Sequence, residues 1–252
     1  MRKLVTIFAV VGLMLAISGA AQATIMIDDF NAKMVPVAAP ATYYAGYGWE
    51  LNTAYGASPP YTYSVVYNET SVAGVLGGTR TTTAINHNDG AVSVDLASDT
   101  TDQSISLSTK GWYPSSYGNL ELLYNGGGGG GGLNQNMSSW SILSVDFDPD
   151  HVGNLKSTVM SFTLNDGLNS ATVSKIWTTY ATLPRTVETF NVSDFTTVNP
   201  SLNLSSIDSI LFNFESDNAG DAAFYSISGV PEPATIGLLG LGALGLLRRR
   251  RA

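Results

Sequence analysis

Cysteine is absent from all 252 residues. No disulfide can brace the fold, and thiol catalysis and thiolate metal sites are excluded. Histidine is nearly absent: His87 and His151 both sit in turn-like contexts, Asn86-His87-Asn88-Asp89-Gly90 and Asp150-His151-Val152-Gly153. No Gly-x-Ser-x-Gly nucleophile elbow occurs to serve a Ser-His-Asp triad. Positive charge is scarce, with twelve Lys and Arg against twenty Asp and Glu. Six of the twelve lie in the terminal stretches. The body between them keeps six basic against nineteen acidic residues, hence a net charge of −13. Such a surface repels phosphate backbones, so nucleic acid is excluded as a partner, whereas divalent cations and neutral ligands such as glycans are favoured. Helical periodicity is the last thing missing.

What is present instead is alternation of period two, bounded by clusters of Gly, Asn, Asp, Ser and Pro. Val92, Val94 and Leu96 take one face of a strand, Ser93 and Asp95 the other. Ile105 and Leu107 alternate with serines. Leu143, Val145 and Phe147 repeat the pattern, as do Met160, Phe162 and Leu164, and then Ile210, Phe212 and Phe214, with a last strand over residues 222–227. Gly77-Gly78, Asn88-Asp89-Gly90, Asn165-Asp166-Gly167 and Asn218-Ala219-Gly220 supply turns between runs. About a dozen short strands over roughly 205 residues predict one all-β domain, a two-sheet antiparallel β-sandwich of jelly-roll-like build. No repeat of fixed period supports a β-helix. Seven glycines, residues 126–132, read as a surface loop, since no Lys-Ser or Lys-Thr follows to make a phosphate cradle.

Both termini read as addresses. Arg2 and Lys3 precede an apolar run to Ile17 and then Ala21-Gln22-Ala23, the small-x-small pattern of a secretory signal peptide cut after Ala23. At the other end stand Val230-Pro231-Glu232-Pro233, fourteen uncharged residues, and Arg248, Arg249, Arg250 and Arg251 before Ala252. As a helix, residues 234–247 would span about 21 Å, short of a hydrocarbon core of about 30 Å. Gly237, Gly240, Gly242 and Gly245 weaken it further, which suits transient docking better than an ordinary tail anchor. The order and spacing of these elements resemble the PEP-CTERM sorting tail of Gram-negative bacteria. That resemblance implies processing by an exosortase-type membrane transpeptidase, after export through the secretion translocon and removal of the leader by signal peptidase. Val230, Pro231, Glu232 and Pro233 would be the recognition element, and the four arginines the cytoplasmic stop. The expected organisation is a signal peptide over 1–23, a β-sandwich domain over 24–229 and a sorting tail with a hydrophobic helix over 230–252.

Candidate chemistry is sparse. In Asp146-Phe147-Asp148-Pro149-Asp150 the first two carboxylates would share one strand face opposite Phe147, but a strand end running into a Pro turn explains the pattern as well. Calcium wants several oxygen ligands, which Asp28 and Asp29 near one end of the body and Asp217 and Asp221 near the other would supply if first and last strands are neighbours. Ile27-Asp28-Asp29-Phe30 resembles the first strand of jelly-roll carbohydrate-binding modules, some of which hold a structural calcium between their terminal strands. Aromatic residues cluster at Tyr43, Tyr44, Tyr47, Trp49, Tyr55, Tyr61, Tyr63 and Tyr67, and again at Trp112, Tyr113 and Tyr117. Buried rings are core. Loop members such as Trp112 and Tyr113, in Lys110-Gly111-Trp112-Tyr113-Pro114, are candidates for stacking on sugar faces.

The expectation is a secreted, exosortase-sorted protein of the cell envelope, outer surface or extracellular matrix, with a structural or adhesive role and no enzymatic activity. The alternative is a carbohydrate-binding module for extracellular polysaccharide, with or without structural calcium. A secreted hydrolase ranks last, because no convergent acid, base and nucleophile can be named.

Overall fold

The computed structural model describes residues 24–30, 41–44, 48–52, 63–87, 91–97, 104–110, 118–126, 132–149, 158–178, 184–216 and 221–232. Within them the chain forms β1 (Ile25–Asp28), β2 (Ala41–Tyr44), β3 (Gly48–Asn52), β4 (Tyr63–Thr70), β5 (Thr79–Asn86), β6 (Ala91–Ala97) and β7 (Ser104–Lys110). There follow β8 (Gly118–Tyr124), β9 (Trp140–Pro149), β10 (Thr158–Asn165), β11 (Ser170–Trp177), β12 (Thr186–Asn191), the helix α1 (Val192–Val198), β13 (Ser209–Ser216) and β14 (Asp221–Pro231). Strands pair antiparallel throughout. Sheet A has eight strands in the order β12-β9-β14-β7-β6-β3-β2, with β1 added to β14. Sheet B has six, in the order β11-β10-β13-β8-β5-β4. The expected two-sheet sandwich is the fold.

The alternating runs decide which residues meet between the sheets. Ile105, Leu107, Leu143, Val145, Phe147, Met160, Phe162, Leu164, Ile210, Phe212 and Phe214 are all fully buried. Phenylalanines from both sheets interlock. Phe162 of sheet B meets Phe190 of sheet A edge to face at 5.1 Å, and Phe224 of sheet A meets Phe214 and Phe212 of sheet B at 5.0 and 5.3 Å. Each such pair adds about 0.5–1.5 kcal/mol beyond the area it buries. Along one open side, Lys175 of β11 pairs with Glu188 of β12 and lies over the Phe190 ring, closing the gap between edge strands of opposite sheets.

Asn165-Asp166-Gly167 makes the β10–β11 turn as its residues predict. Gly167 takes φ 87°, and the Asp166 carboxylate accepts backbone N–H groups of Leu168, Asn169 and, from a distant loop, Asn203. Those donors favour the charged form and lower its pKa to about 2. One element was not foreshadowed. Helix α1 has only seven residues, two of them valine and two threonine, too short to show a helical period, and it is held by burial of Val192 and Phe195.

The expected last strand, 222–227, extends to Pro231, so the boundary placed between residues 229 and 230 falls inside β14. Ser228 and Gly229 offer no large apolar side chain, so the alternation ends while the ladder to β9 continues. A bulge between Phe224 and Ser226 also changes the phase and lets Phe224 and Ile227, three residues apart, both point inward.

Candidate functional site

Asp28 leaves β1 at a register shift against β14 and bridges to Val75, which carries it from sheet A onto the inner face of sheet B. There Glu69 of β4 stands directly opposite Arg80 of β5. Tyr124 of β8 comes next in the same row, one place beyond the Thr81–Leu123 pair. Arg80 Nη1 lies 2.8 Å from Asp28 Oδ2, and its Nε and Nη2 lie 2.7 and 2.6 Å from Glu69 Oε2. The Tyr124 hydroxyl donates to Asp28 Oδ2 at 3.0 Å, and the Phe30 amide donates to Oδ1 at 2.8 Å. Phe30 itself is buried at φ 53°, a left-handed conformation that bulky residues rarely take, with its ring 5.7 Å from the guanidinium.

Burial pushes the Asp28 and Glu69 carboxyls above their ordinary values, with Arg80 pulling both back. Burial also disfavours the charge on Arg80, but Asp28, Tyr124 and Glu69 outweigh it and hold the guanidinium protonated. Burial first, and then the charge of Asp28, drives the Tyr124 phenol far up. Two carboxylates share one guanidinium in an internal ion cluster whose side chains are almost wholly buried. Sequence reasoning missed Glu69, Arg80 and Tyr124. The available signal was an arginine in phase with inward-facing Thr82 and Ala84.

Of the sequence-predicted metal residues, Asp28 and Asp221 lie apart. First and last strands are neighbours, as expected, but the register sets Asp28 opposite Ile227 while Asp221 opens β14 opposite Ser108. Six strand residues, about 20 Å at the usual rise, lie between those levels. Asp28 therefore does not converge with Asp221, and its oxygens already serve Arg80, Tyr124 and Phe30. Asp29 packs on Gly74, where a Cβ would lie 2.2 Å from Asp29 Oδ1. Asp217 falls outside the described residues. Among the described residues no three His, Asp or Glu side chains gather to hold a metal ion.

Asp146 and Asp148 share a face, as the alternation requires, and Asp146 is gripped by Arg185 through two hydrogen bonds of 3.0 and 2.8 Å. Arg185 also stacks over the Tyr225 ring at 3.6 Å. Trp112 and Tyr113 lie outside the described residues. Among the described residues, the outward face of sheet B carries amides and hydroxyls interspersed with the carboxylates of Glu121 and Glu215, the His87 ring and exposed apolar side chains such as Val66 and Ile176. Asn119 Oδ1 accepts from His87 Nε2 at 2.9 Å and its Nδ2 donates to Asn213 Oδ1 at 3.0 Å, with Asn68–Thr81 and Thr163–Thr172 bonded in the next row.

At the C-terminal end, β14 delivers the signal residues straight from the core. Val230 faces Ile142 and Pro231 faces Trp140, with a register shift between them. Ser141 Oγ donates to the Val230 carbonyl at 2.9 Å, and the Glu232 amide donates to the Ser139 carbonyl. Gly229 lies so close beneath Trp140 that a Cβ would come within 1.9 Å of the ring. Among the described residues no helix is long and apolar enough to cross a membrane. Ala21, Ala23, Pro233 and the four terminal arginines lie outside the described residues.

Residues 229–251 match the PEP-CTERM protein-sorting motif, so the chain carries that motif as its residues suggested. No curated protein matches the chain. Among solved structures it is similar to the family 11 carbohydrate-binding module from Clostridium thermocellum in complex with a β-1,3-1,4-mixed-linked tetrasaccharide, at 16% identity over 67% of this chain and 96% of that one, with a TM-score of 0.38. It is similar also to the family 30 module of a cellulosomal cellulase of Clostridium thermocellum, at 14% identity over 69% and 94%, TM-score 0.38. A third likeness is to the enzymatically active domain of bacteriophage CBA120 tailspike protein 4, at 13% identity over 60% and 19%, TM-score 0.34.

Proposed function

We propose that this protein is exported, processed by an exosortase-type transpeptidase and released as a β-sandwich with a structural or adhesive role at the cell surface or in the extracellular matrix. The observation that supports this reading is the sorting motif over residues 229–251, joined without a linker to the last core strand. The leader over 1–23 would open the route through the translocon, and the tail would dock in the inner membrane only until it is cut. Intact-mass measurement on protein from the native host tests this. Mature chain starting at Thr24 and ending near Pro233 is expected; material ending at Ala252 would mean a plain membrane anchor. Glu232→Ala, and neutral residues in place of Arg248, Arg249, Arg250 and Arg251, should each cause the full-length form to accumulate.

A second reading, binding of extracellular polysaccharide, is supported by the hydroxyls and amides on the outer face of sheet B, groups of the kind that sugar hydroxyls bond. Trp112 and Tyr113, outside the described residues, remain the candidates for stacking on sugar faces. Glycan-array binding with and without chelator tests both the ligand and a structural calcium, in which Asp28 would take no part.

A further inference from the structure

The first half of the sorting signal is already used by the fold. A peptide-processing enzyme takes its substrate extended, with backbone groups available to pair with its own. Here the Val230 carbonyl and the Glu232 amide are committed to Ser141 and Ser139, so β9 and the enzyme need the same backbone groups. The clamping segment is itself anchored, with Met137 fully buried and its amide bonded to the Leu204 carbonyl at 2.7 Å. Yet the end of β14 is made to let go. The register shifts between Val230 and Pro231, proline has no N–H to give the ladder, and Glu232 is exposed. One residue earlier the grip tightens, because Gly229 is pinned beneath the Trp140 ring.

We propose that residues 230–232 form a latch on β9, and that release of this strand end gates access of the processing enzyme to the signal. This rests on the reading that the tail is processed. Peeling would stop at Gly229, leaving the ion cluster and the phenylalanine core untouched.

The absence of cysteine makes a direct test clean. Ile142→Cys with Val230→Cys places two thiols opposite each other in the ladder, in a compartment that permits disulfides. Full-length protein is followed by intact mass in host membranes with active enzyme, and the same double variant kept reduced is its own control. Oxidation is expected to slow tail removal about tenfold or more by depleting the competent population, and reductant to restore it. Equal rates in the two states would overturn the latch. A second variant, with about eight Gly and Ser residues inserted as flexible coil between Gly229 and Val230, carries the test whatever the thiols do to recognition. It should lose its tail faster than the native chain; an unchanged or slower rate would overturn the proposal. If the native chain keeps Ala252 and no variant loses its tail, it is the processing reading that fails.

Discussion

Beneath β9, β10, β13 and β14 the interior is dominated by phenylalanine packed on phenylalanine; beneath β1, β4, β5 and β8 it takes in Asp28, Glu69 and Arg80 beside the aliphatic side chains. The change happens along single rows of sheet B. The row that starts at Glu69, Arg80 and Tyr124 continues through Ile210, Leu164 and Ala171, from charge to hydrocarbon without leaving the core. The apolar half gains from every atom buried. The ionic half stabilises only while its set is complete, because each charge removed from water must be met by a partner. Two carboxylates share one guanidinium there, and burial, only partly offset by Arg80, pushes both carboxyl pKa values up.

Removing Arg80 should break the comparison most sharply. Arg80→Ala leaves two buried carboxylates facing each other, and a loss of roughly 3–5 kcal/mol is expected in chemical denaturation at neutral pH. Phe224→Ala, which cuts the contacts to Phe147, Phe212 and Phe214, should cost a similar 3–5 kcal/mol or so. The two variants separate with pH. A carboxyl whose folded pKa lies above its unfolded value binds its proton more tightly in the native state, so stability falls as pH rises between the two values. The Arg80→Ala deficit should therefore shrink as pH drops from 7 towards about 4, while the Phe224→Ala deficit stays level. Equal pH profiles would mean that the ionic half behaves as ordinary packing.

Tyr124→Phe keeps the ring and removes one bond to a charged acceptor, for an expected loss of about 1.5–3 kcal/mol by thermal or denaturant unfolding. Asp166→Asn should have the smallest effect, since that carboxylate lies on the surface. Its folded pKa is depressed to about 2, so its contribution is present above the unfolded value near 4 and is lost as pH falls towards 2. The native chain should lose stability over that acid window more steeply than Asp166→Asn does. Parallel acid limbs would show that the turn carboxylate contributes nothing.

The apolar half was legible in the sequence because burial there follows period two, so Leu143, Val145 and Phe147 announce their strand locally. The ionic half was not, because its logic is long-range: Arg80 lies 52 residues from Asp28, and Tyr124 lies 96. Two adjacent aspartates at a strand end look alike whether they await a metal or a buried arginine. Strand order was hidden for the same reason, since sheet A threads β9 between β12 and β14 with no local mark of it. The signal itself was plain from residues 230–252, whereas its engagement with Ser139 and Ser141 required the ladder to be seen.

β14 runs with β9 along one side and β7 and β1 in succession along the other, and it ends two residues before the hydrophobic segment. Any attachment made at the C-terminus is thus an attachment to an interior strand. Traction applied there acts along the strand axis, across hydrogen bonds that stand perpendicular to it. Up to Gly229 the rungs are loaded together in shear instead of being opened in turn. A molecule held by its tail would resist lengthwise drag with much of a sheet, although its own grip on Val230 and Glu232 is slight.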